Sequence, residues 1–368
     1  MAETHASRRD RLRERITATG TAAVLVSRPA NIRYLAGSAP VGATLLLAEG
    51  GDLLVQAEPP EPRPGTPQPD DTLPTRTLTG PREDSAVTAA AVAAGRGLDS
   101  LAVEEHHLTV ARHRAVTAAA PGLRLTDLGG AVEQLRLVKD EDEISCLRIA
   151  AEIADQALSE LLESILVGRT ERHLALELER RLVDHGADGP AFATSVGTGP
   201  DAGRVGHRPT DRRVEEGDFL SVCLGAAYRG YRCEIGRTFV IGTSPADWQV
   251  ELYDAVFAAQ RAGREALAPG AACRDVDAAA RQVLAAAGHR EGLSPRTGHG
   301  VGLENNEDPQ LAPSAMGKLD ARVPVTVEPG VHLPGRGGVR IDDTLVVRSE
   351  ADGGPELLTI TTKELLAL

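Results

Sequence analysis

One stretch, residues 217–241 (GDFLSVCLGAAYRGYRCEIGRTFVI), constrains the fold more than any other part of the chain. Within residues 217–226, Leu220, Val222 and Leu224 alternate with Phe219, Ser221, Cys223 and Gly225, the period of a strand with one aliphatic face. A second strand-like run, residues 231–241, follows the short Tyr228-Arg229-Gly230 segment, so the pair reads as an antiparallel hairpin. Cys223 then points away from the aliphatic face. A symmetric hairpin centred on that turn sets Glu234 almost opposite Cys223, near enough for the two side chains to share a ligand. Cys233 has the opposite parity to Glu234 and faces the other side, so a Cys223–Cys233 disulfide is not expected.

Two later runs repeat the pattern. In residues 322–328, Val323, Val325 and Val327 share one face and leave Glu328 on the other. In residues 339–347, Arg340 and Asp342 lie opposite Ile341 and Leu345. Four strands thus carry polar groups on the side turned from the core. Polar groups there need partners, and a site on the open face of a sheet supplies them most economically.

A chain of 368 residues exceeds what one hydrophobic core supports, which predicts two domains. The first opens with a helix over residues 9–19, an apolar run at 22–26, a turn-like segment at 27–31 and a second apolar run at 43–47. Proline and glycine crowd residues 58–71, which reads as a surface loop. Apolar residues 101–103 and a helical pattern at 111–120 complete the domain. The charged run 135–143 is expected to begin a helix reaching residue 165. Thr170 can cap another helix ending before Gly186, and further helices fit residues 247–267 and 276–287.

A formal net charge of -13, with arginines scattered among acids, repels phosphate backbones and anionic lipid surfaces, so neither nucleic acid nor membrane is expected as a partner. The first residues lack the apolar core of a signal peptide, and no stretch approaches the ~20 apolar residues of a membrane span; a cytoplasmic protein is expected. The four cysteines, 146, 223, 233 and 273, lack C-x-x-C spacing and read as reduced thiols.

Several motifs then meet in one chain: ANIRYLAG and LRLVKDEDEI early, followed by RVGHRPTDR, the 217–242 segment, GHGVGLENNEDP, TVEPG and GVRIDDTLVV. Their order and spacing resemble the pita-bread hydrolases, the group of creatinase, prolidase and aminopeptidase P, over nearly the whole chain. The resemblance implies an α/β (α+β) fold. A smaller creatinase-like α/β domain, residues 1–134, would precede a pita-bread domain, residues 135–368, with a curved antiparallel sheet flanked by helices.

In the metal-dependent members, five ligands (two Asp, one His, two Glu) hold two divalent ions. The matching positions here are Cys223, Glu234, His299, Glu328 and Asp342. Glu reaches about 1.5 Å farther than Asp, so the lengthening at 234 and the shortening at 342 can compensate. Cysteine is the harder change. A thiolate is a soft, single-atom ligand that suits zinc and does not bridge two hard ions as a carboxylate does. A further family histidine falls at or beside Asn306, and the upstream one is retained as His207.

These positions suggest His207, His299 and Glu328 as catalytic residues, and Glu234, Arg340 and Asn306 as substrate-binding ones. Cys223, Glu234, His299, Glu328 and Asp342 form the metal set. Cys223 admits three roles: buried hydrophobe, ligand or nucleophile. His207 is either an ordinary loop histidine or, by the creatinase resemblance, a proton carrier. Arg340 and Arg237 neutralise the nearby acids. The expected function is hydrolysis of a C–N bond in a small amino-acid-like or short-peptide substrate, with no metal or one ion of Zn, Mn or Fe. A silent binding module and a dinuclear Xaa-Pro dipeptidase or aminopeptidase remain as alternatives. The resemblance also implies a homodimer.

Overall fold

The structure, a computed structural model, describes residues 4–17, 20–57, 70, 73–78, 80, 83–164 and 166–368. The loop expected at residues 58–71 lies outside them apart from Asp70. The chain divides into two compact units, Met1–Arg136 and Leu137–Leu368.

In the first unit, the buried run Ala23–Val26 pairs antiparallel with Thr44–Ala48 and parallel with Ser100–Val103, at the centre of a six-stranded mixed sheet. The segment read as a turn at 27–31 is instead the start of a helix, Pro29–Ala36, with the proline at a position whose missing N–H costs nothing. Helix Ser85–Gly95, capped by the Asp84 carboxylate, buries its alanines against the sheet.

The second unit begins with Glu141–Leu162, later than the expected start near 135. Asp140 accepts from Glu143 N at 2.9 Å while Glu143 Oε2 accepts from Asp140 N at 2.9 Å, a reciprocal cap that fixes the helix start. Helices Glu171–Asp184, Asp247–Glu265 and Cys273–Ala286 follow. The strands of this unit pair antiparallel. Ser195–Thr198, Phe219–Leu224 and Ile235–Val240 form one ladder; Glu307–Leu311, Gly298–Gly300, Pro324–Val327, Asp343–Val346 and Glu356–Leu357 form another. Reciprocal backbone hydrogen bonds of 3.0 Å between Gly236 and Asp342 join them. The run expected as one strand at 339–347 is therefore two, Gly337–Arg340 and Asp343–Val346, broken where Asp342 turns inward. Among the described residues no helix is long and apolar enough to cross a membrane.

The hairpin register corrects the sequence reading by a diagonal step. Arg229 and Gly230 both have positive φ (47° and 78°) and form a two-residue turn beneath the Tyr228–Tyr231 pair. Cys223 is consequently registered against Gly236, not Glu234. Arg237 also departs from expectation: it is fully buried against Asp343, with Nη2 donating to Asp343 Oδ1 at 2.8 Å, and not against the site acids. Asp343 accepts from Gln260 Nε2 (2.6 Å) and Thr359 Oγ1 (2.8 Å) as well, and Lys363 Nζ is 2.9 Å away.

Burial pushes the Asp343 carboxyl up, but the charges of Arg237 and Lys363 and their hydrogen bonds outweigh it and hold the group below the usual value. Its stabilising effect is therefore present above the unfolded carboxylate range, near about 4, and is lost as pH falls through the lower folded value. Asp343→Asn should lose about 3–5 kcal/mol in urea unfolding at pH 7, with the difference from the parent narrowing below about pH 4. A loss under about 1 kcal/mol at neutral pH would contradict this account.

Candidate active site

Five strands or their ends aim side chains into one cavity of about 430 Å³ in the second unit. His299 lies between glycines because its strand is squeezed on both sides. A Cβ at Gly298 would fall 2.1 Å from Thr326 O, and one at Gly300 would fall 2.2 Å from Asp308 O. The imidazole is held by Nδ1, 3.0 Å from Gly300 O; a carbonyl only accepts, so Nδ1 carries the hydrogen. When the ring is neutral, the Nε2 lone pair thus faces Glu234 Oε2 at 3.4 Å and Glu328 Oε1 at 3.6 Å.

Cys223 and Glu234 meet on the diagonal, with Sγ donating to Glu234 Oε1 at 3.3 Å. Asp342 enters beside them because residue 236 is glycine: a Cβ there would stand 2.2 Å from Asp342 Oδ2. One guanidinium ties two of the acids together. Arg340 Nη2 donates to Glu328 Oε2 (2.7 Å) and Asp342 Oδ2 (3.2 Å), and its Nε to Asp342 Oδ2 (3.3 Å). Asp342 Oδ1 is buried with no hydrogen-bond partner.

The crowding sorts the protons. Burial and the charge of Glu234 push Glu328 up to about 7 against the pull of Arg340. Burial raises Asp342 too, with Arg340 opposing and Glu234 adding to the effect. Burial also acts on Glu234, but the His299 hydrogen bond and charge and the charge of Arg340 leave it below the usual value. Burial, followed by the charges of Glu234 and Asp342, holds the Cys223 thiol well above the usual thiol range. His299 is raised: burial works against its charged form, and Glu234 and Glu328 overcome it.

These residues fit a divalent ion. Ligand atoms of Glu234, His299 and Glu328 lie within 4.8 Å of one another, as do those of Cys223, Glu234 and Asp342. Tetrahedral bonds of zinc length set ligands about 3.4 Å apart, the spacing of His299 Nε2 from the two glutamates. A lone pair facing two carboxylates repels them unless a cation or proton lies between, and a metal-binding histidine typically anchors its other nitrogen on a carbonyl. The orphaned Asp342 Oδ1 has the same need.

Of the residues singled out in the sequence, Cys223, Glu234, His299, Glu328 and Arg340 line the cavity together, and Asp342 touches Arg340 behind them. His207 lies on the cavity wall, with Nε2 2.9 Å from Glu171 Oε2. Asn306 is not brought in: it is exposed and accepts from Gln310 Nε2 at 3.2 Å, while its neighbour Asn305 lines the cavity. Sequence reasoning missed Arg296, whose Nε is 3.7 Å from Glu328 Oε1 and which sits in no recognisable pattern.

An antiparallel domain with five such donors on its open face, preceded by a mixed α/β unit, defines a two-domain hydrolase of the creatinase and prolidase fold. The chain belongs to metallopeptidase family M24, whose model matches residues 145–349; the creatinase/prolidase N-terminal domain model matches residues 8–138. The Xaa-Pro dipeptidase of Pyrococcus furiosus is 30% identical over 345 residues, 93% of this chain and 94% of that protein. The uncharacterized peptidase YqhT of Bacillus subtilis is 35% identical over 272 residues, 74% and 76% of the two chains. The solved Xaa-Pro dipeptidase of Bacillus anthracis matches with a TM-score of 0.89 at 30% identity, covering 99% of this chain and 100% of that one. This chain is accordingly a peptidase-type hydrolase of C–N bonds, in a family that uses divalent metal.

Because burial, and after it the charges of Glu234 and Asp342, hold the Cys223 thiol protonated, its alkylation by iodoacetamide at pH 8 in chelator-treated protein should be slower than that of a free thiol, and Glu234→Gln should accelerate it. Equal rates in parent and variant would show that those charges do not control the sulfur.

Proposed function

We propose that the chain hydrolyses the peptide bond of short Xaa-Pro substrates with one divalent ion, zinc first among Zn, Mn and Fe. The observation that carries this reading is the convergence of His299 Nε2 and two carboxylates at ligand spacing beside the unpartnered Asp342 Oδ1. Substrate class follows the Xaa-Pro dipeptidases among the relatives. The cavity volume lies in the range of small-ligand sites.

Cys223, Glu234, His299, Glu328 and Asp342 are the residues that would hold the ion. A single sulfur at 223 favours a softer ion and removes the carboxylate that would span two hard ones. When bound, the ion supplies a Lewis acid and lowers the pKa of its water toward neutrality. Arg340 keeps one oxygen of Glu328 and one of Asp342 engaged, which orients the remaining oxygens inward. Glu328 Oε1 accepts the proton of the attacking water. His207 delivers a proton to the departing amine nitrogen as the C–N bond breaks. Arg296 at the cavity wall suits the free carboxylate of a short peptide. A homodimer and a cytoplasmic setting belong to the same reading, the latter in keeping with four free cysteines.

Elemental analysis of tag-free protein should find one zinc per chain, falling about 10- to 100-fold in apparent affinity for Cys223→Ser. Hydrolysis of Xaa-Pro dipeptides should drop by at least about 100-fold in His299→Ala and Glu328→Gln. Two ions per chain indifferent to Cys223→Ser would replace the single-ion reading with a dinuclear one. Full activity in Glu328→Gln would remove that carboxylate from the mechanism.

A further inference from the structure

Glu171 belongs to none of the motifs that point to the site, yet it holds one of the site's two histidines. Thr170 Oγ1 accepts from His173 N at 3.2 Å and caps helix Glu171–Asp184, which fixes Glu171 as the first residue of the helix. Backbone hydrogen bonds from Glu171 N to Arg212 O (3.1 Å) and from Arg172 N to Thr210 O (3.0 Å) tie the loop that carries His207 to this helix start.

The Glu171 side chain is completely buried. Its Oε1 accepts from Thr198 N at 2.8 Å; its Oε2 accepts from Thr210 N at 2.8 Å and Thr210 Oγ1 at 2.7 Å, and lies 2.9 Å from His207 Nε2. An oxygen already receiving an amide and a hydroxyl hydrogen has none to offer the ring. His207 Nε2 is therefore the donor, and in the neutral ring Nδ1 keeps its lone pair. Nδ1 is 3.8 Å from Asp201 Oδ1, too far for a direct hydrogen bond and far enough to leave it for an exchangeable partner. The ring is also wedged: a Cβ at Gly197 would stand 3.3 Å from His207 Cδ2 and 2.5 Å from Asp201 O. His207 and Asp201 both line the cavity.

We propose that Glu171 is a positioning residue for His207, fixing the Nε2–H tautomer so that Nδ1 is the nitrogen that exchanges a proton in the cavity. This rests on the reading of His207 as the proton carrier. The cycle balances with the roles already given: Glu328 Oε1 takes the proton of the attacking water, whose oxygen bonds to the carbonyl carbon, and that proton returns through cavity water to Nδ1, replacing the one Nδ1 gives to the amine nitrogen as the C–N bond breaks. Four hydrogen bonds on a buried carboxylate hold the ring more rigidly than a solvated partner could, so Glu171 acts by orientation and touches no substrate.

The test is a ¹⁵N spectrum of histidine-labelled full-length protein at alkaline pH, with the His207 signal assigned by its loss in His207→Ala. The parent should carry the hydrogen on Nε2. Glu171→Gln, whose amide can donate as well as accept, should lose that preference, and its kcat should fall about 10- to 100-fold with KM within about twofold. Glu171→Asp, which keeps a carboxylate, should retain the tautomer and part of the rate. An Nδ1–H tautomer in the parent overturns the proposal without reference to activity, and so decides it even if Glu171→Gln fails to fold. A shifted tautomer with unchanged kcat also overturns it; if His207→Ala lowers kcat in the same assay, the proton-carrier reading survives alone, and if it does not, both fall together.

Discussion

The absence of a side chain at residue 236 is the constraint on which the site depends. Gly236 bonds Asp342 backbone to backbone and so joins the hairpin ladder to the ladder that carries His299 and Asp343. The same missing Cβ leaves the space that Asp342 Oδ2 occupies. Strand alternation does the rest: residues 236 and 342 face the cavity side, while Arg237 and Asp343, one step along, face the core and neutralise each other with no exposure. One bridge thus separates a closed ion pair, which is structural, from an open set of acids, which is chemical.

That open set carries more negative charge than its one buried guanidinium can balance. Three carboxyls, Glu234, Glu328 and Asp342, share the site, and Arg340 engages two of them. Without a further cation, burial together with this excess displaces titration, with Glu328 pushed up to about 7 and Cys223 kept as a thiol. The cost of an uncompensated buried charge is several kcal/mol, so a bound cation relieves several groups at once. A thiol at 223 in place of a carboxylate lowers the charge to be matched, which is the physical sense of the proposed single ion.

Much of this was legible in the sequence because strands have a period of two. Alternation alone placed Cys223, Glu328 and Asp342 off the aliphatic faces, and the motifs placed His299 and His207. The sequence reading failed where a single residue changes backbone geometry. The two-residue Arg229-Gly230 turn moved the register so that Cys223 faces Gly236, and Glu234 reaches the sulfur diagonally. Pro29 begins a helix inside the segment 27–31, whose sequence reads as turn-like. The motif position falls at or beside Asn306, and of the two asparagines it is Asn305 that lines the cavity. Glu171 and Arg296 were invisible because each is defined by partners distant in sequence.

The two histidines are held by opposite nitrogens, and the difference suits different tasks. His299 donates Nδ1–H to a neutral carbonyl, which leaves Nε2 directed at two carboxylates 3.4 and 3.6 Å away, a place where only a positive charge can sit. His207 donates Nε2–H to a buried carboxylate, and its Nδ1 faces a single acid at 3.8 Å across a gap. A ring anchored on a carbonyl and facing two acids has the setting of a ligand, in keeping with the proposed function, since its free nitrogen has no mobile partner to exchange with. The other, braced by Glu171 beside a cavity wall, keeps a nitrogen whose partner can come and go. Proton transfer needs that freedom, and ion binding needs its absence.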